Sequence, residues 1–145
     1  MPGTPDSMST LTAPDVPSTL QSFLAFDFGL KRTGVAVGNR LLRSAQPQPT
    51  IKAEGDARFE HAKARIKEWQ PDALVVGVPF HPDGAPHENT ERARKFARQL
   101  RGRFGLPVFE VDERYSTTEA LAAGATDADA ASACIILEQF LRSFP

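Results

Sequence analysis

The sequence predicts one α/β domain built on a mixed sheet with helices on both faces. Three observations carry that reading. The run Phe23 to Phe28 is apolar except for one carboxylate, as a strand covered on both faces should be. A second apolar run, Gly34 to Gly38, follows so soon that only an antiparallel hairpin can join the two. From Asp56 onward, helix-like and strand-like patterns alternate.

The elements follow in order. Residues 1–21 read as a disordered leader, interrupted by Pro2, Pro5, Pro14 and Pro17 and filled with Ser and Thr, with Met8 an alternative start. Residues 22–145 form the domain. A turn at Gly29 to Arg32 joins the first two strands. A third strand, around Leu42 to Ala45 or near Ile51, is expected at an edge because of Pro47 and Pro49. Asp56 to Gln70 predicts a helix with Phe59, Ala62, Ile66 and Trp69 on one face, Asp56 as N-cap and Pro71 as the stop. The apolar run Ala73 to Val78 reads as a central strand. A loop from Pro79 to His87 leads to a helix over Glu88 to Arg103, whose buried stripe is Ala93, Phe96, Ala97 and Leu100. Gly105 and Pro107 end it. Val108 to Val111 is the next strand and runs into Asp112 and Glu113. A short helix near Thr117 to Ala123 is expected. A last helix covers Asp129 to Leu141, with Ala130, Ala133, Cys134, Leu137 and Leu141 facing inward. This order matches an RNase H-like α/β fold better than a purely parallel dinucleotide-binding sheet.

The chain has 145 residues, with 41% hydrophobic and 24% charged, an ordinary composition for one globular domain with a real core. Its net charge of -1 carries no overall nucleic-acid signature, so any such signal must be local. Cys134 is the sole cysteine and reads as a small apolar core residue, which leaves no disulfide and no Cys/His zinc spacing. No run approaches a membrane span, and the N-terminus lacks a basic start and apolar core of a secretory signal, so the expected location is the cytoplasm.

Three acidic positions carry the chemistry. Asp27 interrupts an apolar strand between Phe26 and Phe28, and a buried carboxylate is expensive unless paired or bound to a cation. Asp112 and Glu113 lie at a strand's C-terminal end, where open α/β sheets place ligands. Neighbouring strand residues face opposite sides, so one of them joins Asp27, and Glu113 is the choice. Asp129, with Asp127 nearby, opens the final helix. Blander roles compete: a turn former for Asp27, a solvated strand end for Glu113, an N-cap for Asp129. Together, three separated carboxylates suit hard divalent cations. Two Mg²⁺ or Mn²⁺ ions about 3.5–4 Å apart hold the attacking water and leaving oxygen of a phosphodiester in one well-known arrangement. His61, His81 and His87 have no ligand spacing. His61 reads as a surface residue, and the other two as loop residues.

Basic side chains cluster from Arg92 to Arg103, and Arg94, Arg98 and Arg101 share a helix face. Such a face grips phosphates without reading sequence, or is simply solvated. Lys31 and Arg32 are more suggestive, because they follow Asp27 in the turn. Arg114 follows Glu113.

The run from Phe26 through Asp27-Phe28-Gly29-Leu30-Lys31-Arg32-Thr33 to Gly38 resembles the opening signature of the YqgF-type family. So do Val75-Val76-Gly77-Val78-Pro79 with Asp83-Gly84, Arg92 to Ala97, Val111-Asp112-Glu113-Arg114-Tyr115-Ser116-Thr117, and Asp129 with Ala133 to Glu138. These are RuvC-like proteins with an RNase H fold, described as Holliday junction resolvases or pre-16S rRNA nucleases. The resemblance covers about Phe23 to Leu141. It implies an acidic site at Asp27, Glu113 and Asp129, and a role in maturing the 5′ end of 16S rRNA on or near the bacterial ribosome. One departure stands out. Family members usually carry a longer basic segment before the last Asp, whereas 120–128 is short and holds no Lys or Arg.

The leading expectation is therefore a metal-dependent RNA endonuclease in which Asp27, Glu113 and Asp129 hold the ions and Lys31, Arg32, Arg94, Arg98 or Arg114 contact phosphate. A DNA four-way junction resolvase would use the same site and would need a homodimer rather than a monomer. A non-catalytic RNA-binding ribosome-assembly factor is the reading that the shortened segment favours. An actin-like ATPase, suggested by Asp27-Phe28-Gly29, would need two such domains.

Overall fold

A computed structural model describes residues 16–81, 83–86, 88–113 and 128–144. The strands are β1 (Ser22–Asp27), β2 (Thr33–Asn39), β3 (Ala45–Ile51), β4 (Ala73–Pro79) and β5 (Val108–Glu113). The helices are α1 (Ala57–Trp69), α2 (Thr90–Phe104) and α3 (Ala128–Arg142). The strands form one sheet in the order β3-β2-β1-β4-β5. β1 pairs antiparallel with β2, which pairs antiparallel with β3, while β1, β4 and β5 run parallel. This is the mixed sheet that the hairpin and the later alternation predict.

Alternation along the strands splits the core in two. Phe23 and Ala25 of β1, Ala73 and Val75 of β4, and Phe109 of β5 pack with Ala133, Ile136, Leu137 and Leu141 of α3. Leu24, Phe26, Leu74 and Val76 point the other way, against Phe59 and Ala62 of α1 and Phe96, Ala97 and Leu100 of α2. Small residues let α3 lie close to β2: a Cβ at Gly38 would meet Leu137 and Leu141 at 3.0 and 3.2 Å. The α2 stripe is buried as expected.

Several expectations change. The sheet packing begins upstream of β1. Val16 is buried against the α3 cluster, and Arg40 donates to the carbonyls of Pro17 and Leu20 at 2.9 and 3.1 Å, so the predicted leader loses residues 16–21. Residues 1–15 lie outside the described part. The third strand is Ala45–Ile51, at the edge that its prolines demand. Trp69, the last residue of α1, is 42% exposed and lines a cavity of about 230 Å³ with Phe23, Val37, Leu42 and Pro71. Asp56 is the N-cap of α1 in helical backbone geometry, without a side-chain capping bond. Cys134 is half-buried rather than enclosed, and burial pushes its thiol up to about 11, so it is a poor nucleophile. The expected helix at 117–123 lies outside the described residues. Among the described residues no helix is long and apolar enough to cross a membrane.

Candidate active site

Asp27 is the last residue of β1, and its strand neighbours on both sides are glycines. Gly34 of β2 sits opposite it in the antiparallel pair, and Gly77 of β4 in the parallel pair. Both glycines keep space for other groups. A Cβ at Gly34 would overlap the backbone carbonyl of Asp129, so the first turn of α3 approaches the sheet here. A Cβ at Gly77 would lie 2.6 Å from Glu113 Oε2 and would overlap the tip of Ile136. The missing side chains therefore bring the ends of two non-adjacent elements, α3 and β5, onto the tip of β1.

Strand alternation sorts the acidic pair at the end of β5. Glu113 follows Phe109 and Val111 onto the α3 face and is 8% exposed, whereas Asp112 is exposed on the other side. Glu113 donates a hydrogen bond to Asp27. Burial pushes the Asp27 carboxyl up to about 6; the bond from Glu113 pulls it down, and the charge of Asp129 pushes it up. Burial also pushes Glu113 up to about 9, with the charge of Asp27, its hydrogen bond and the charge of Asp112 adding to the rise. Two neighbouring carboxyls, Asp27 half-buried and Glu113 buried, cannot both ionise cheaply, and the larger rise at Glu113 favours the proton there. The second oxygen, Oε2 of Glu113, is buried without a hydrogen-bond partner.

Asp129 lies in the first turn of α3 rather than capping it. Its carboxylate is paired with Arg32 Nε at 3.2 Å. Its charge reaches Asp27. The turn after Asp27 thus meets the start of α3 across the site, and Lys31 is exposed beside it.

The remaining predicted residues lie elsewhere. α2 covers the opposite face of the sheet from the Asp27–Glu113 pair. On it, Arg94 pairs with Glu110 at 3.5 Å and Arg98 with Glu91 at 2.8 Å, and Arg101 donates to the Val108 carbonyl at 3.2 Å. The basic face predicted to grip phosphate therefore already has partners within the protein. His61 and His81 are exposed. Arg114, His87 and 120–127 lie outside the described residues. Sequence reasoning missed Gly34 and Gly77, whose signal would have been two glycines in register with an anomalous strand carboxylate.

Oxygen donors alone meet at this site, one of them buried and unbonded, and that chemistry suits a hard divalent cation. Among the described residues no group of three or more acidic, His or Cys side chains is gathered at ligating distance, and Asp129 is paired with Arg32.

A mixed sheet in this order, helices on both faces and a carboxyl pair at strand C-terminal ends define an RNase H-like α/β protein. Thermus thermophilus RuvC in complex with a Holliday junction substrate has the same fold, with a TM-score of 0.52 at 15% identity over 83% of this chain and 93% of that one. The chain belongs to the RuvX family, whose model, described as "RuvX: Holliday junction resolvase", matches residues 21–143. A relative from Polaromonas sp. is 74% identical over 138 residues, covering 95% of this chain and 100% of its own. Another, from Albidiferax ferrireducens, is 79% identical over 128 residues, covering 88% and 82%. Both are named "Putative pre-16S rRNA nuclease", a hydrolase activity on phosphodiesters.

Proposed function

We propose that the protein is a cytoplasmic, metal-dependent endonuclease that hydrolyses phosphodiesters of the 16S rRNA precursor at its 5′ end, on or near the ribosome. The observation that carries this is the Asp27–Glu113 pair, with half-buried Asp27 between two glycines and one oxygen of buried Glu113 unbonded. A fold needs no such pair for stability, and perturbed carboxyls at strand ends mark functional sites. The name carried by close relatives supports the substrate.

Asp27, Glu113 and Asp129 would hold Mg²⁺ or Mn²⁺, which supplies charge neutralisation and an activated water when bound. The chain's own residues do the rest. With an ion bound, Glu113 would give up its proton to solvent, so that it and Asp27 would both offer anionic oxygens. Arg32 exchanges Asp129 for a substrate phosphate, and Lys31 adds a second positive charge beside it. The apolar side chain of Ile136, whose tip lies over Gly77 beside the pair, limits water there, which strengthens each charge interaction.

The test is cleavage by purified protein with Mg²⁺ or Mn²⁺, comparing wild type with Asp27→Asn on a 16S precursor fragment and on a DNA four-way junction. Metal-dependent cutting of the RNA that disappears in a folded mutant supports the reading. Cutting of the junction alone transfers the site to a resolvase, in keeping with the family description. RNA binding without cutting of either leaves an assembly factor on a nuclease fold.

A further inference from the structure

The loop between β1 and β2 carries Lys31 and Arg32, and its shape depends on a residue far along the chain. Within the loop, Gly29 allows a tight turn, since a Cβ there would overlap the carbonyl of Arg32. Two of its carbonyls, those of Gly29 and Leu30, are held from outside. Arg58, in the first turn of α1, donates from Nη2 to both, at 3.0 and 2.6 Å. Its guanidinium lies over the Phe28 ring at 4.6 Å and near that of Phe96 at 5.9 Å.

Arg58 is 6% exposed. It forms no ion pair within 4 Å among the described residues, the charge of Glu54 only partly offsets its burial, and its Nε is buried without a hydrogen-bond partner. Burying a guanidinium this way is costly, and an apolar residue at the same place would serve the core better. What the arginine supplies in return is a fixed loop. It lies on the α1 side of the sheet, so it is not itself aimed at the Asp27–Glu113 pair.

We propose that Arg58 is a positioning residue for a phosphate-contacting loop: by tying the Gly29 and Leu30 carbonyls to α1, it sets where Lys31 and Arg32 meet the RNA backbone. This rests on the nuclease reading for the substrate, but its readout is binding rather than cleavage. Arg32 reaches Asp129 across the site from this loop, and a loop free to swing would spread both cations over many positions.

The experiment is RNA binding by fluorescence anisotropy, with a labelled 16S precursor fragment and the full chain. Arg58→Met keeps the apolar stem over Phe28 and removes the donors. It is expected to weaken binding about tenfold, the scale of two misplaced phosphate contacts. In a Lys31→Ala/Arg32→Ala background the same change should have no further effect, because the cations it positions are gone. Arg58→Lys, which can still donate to one carbonyl, should recover part of the loss. Ile66→Ala, a packing change elsewhere on α1, controls for lost stability.

Equal weakening by Arg58→Met in both backgrounds overturns the proposal, as does an Ile66→Ala variant of equal Tm loss that binds RNA as poorly. A wild-type chain that binds no RNA also overturns it, since the loop would then contact nothing. Wild type that binds but does not cut defeats the endonuclease reading and leaves the Arg58 comparison readable.

Discussion

Glu113, at the end of β5, reaches over Gly77 of β4 to hydrogen-bond Asp27 at the end of β1. The pair therefore depends on an absent side chain. Gly77→Ala would place a Cβ 2.6 Å from Glu113 Oε2 and against the tip of Ile136. Ile136 can yield slightly within the core, but Glu113 can only yield by leaving Asp27. The expected result is a folded protein destabilised by about 1–3 kcal/mol. Cleavage should fall about 10²-fold, the scale of a misplaced reacting group. Denaturant unfolding beside a cleavage assay checks both, and full activity in Gly77→Ala would mean that the pair is not part of the machinery.

The same pair predicts an unusual dependence of stability on pH. Both carboxyls titrate higher in the folded chain than ordinary carboxylates do, up to about 6 for Asp27 and about 9 for Glu113, chiefly through burial. The folded state therefore holds more protons than the unfolded state across that window. Stability contributed by the protonated pair is complete below ordinary carboxylate values and is lost as pH rises towards about 9. Without metal, unfolding free energy should fall from pH 5 to pH 9, and Glu113→Gln should flatten the slope. A wild-type curve that rises over this range would contradict a shared proton.

Much of this was legible in the residues. Asp27 stood out because a strand otherwise apolar has no reason to bury a carboxylate, and strand alternation alone separated Glu113 from Asp112. The α2 stripe followed from helical spacing. What could not be read depends on contacts between elements distant in sequence. Gly34 and Gly77 matter only because α3 and β5 pass over them. Arg58 looks like any polar residue on a helix until the β1–β2 loop lands on it. Arg94 meets Glu110 only once α2 lies on β5. Trp69 fits the helical stripe, but it faces a cavity instead of the packed core and stays 42% exposed.

A cation entering the site must displace the proton that Glu113 holds. At pH 7.5, between the two raised values, Mn²⁺ binding should release about one proton per site. Titration calorimetry in two buffers of different ionisation enthalpy reads this directly. Glu113→Gln should bind Mn²⁺ more weakly and release none. Binding with no proton release in the wild type would place the ion away from the Asp27–Glu113 pair.

Arg32 and Arg98 both sit in surface ion pairs, yet they should contribute differently to RNA binding. Arg32 is paired with Asp129 at the rim of the site, with its side chain 64% exposed. Arg98 is paired with Glu91 on α2, which covers the opposite face of the sheet, so the sheet lies between it and the site. Neither pair holds the fold together, so Arg32→Ala and Arg98→Ala should each change stability by less than about 1 kcal/mol. Arg32→Ala should lower the slope of log affinity against log salt by about 0.7, one single-strand phosphate contact. Arg98→Ala should leave the slope as it is. Binding measured across a salt series separates the two. Equal slope losses would mean that RNA wraps from the Asp27 face around to α2 and that the basic helix joins in gripping it.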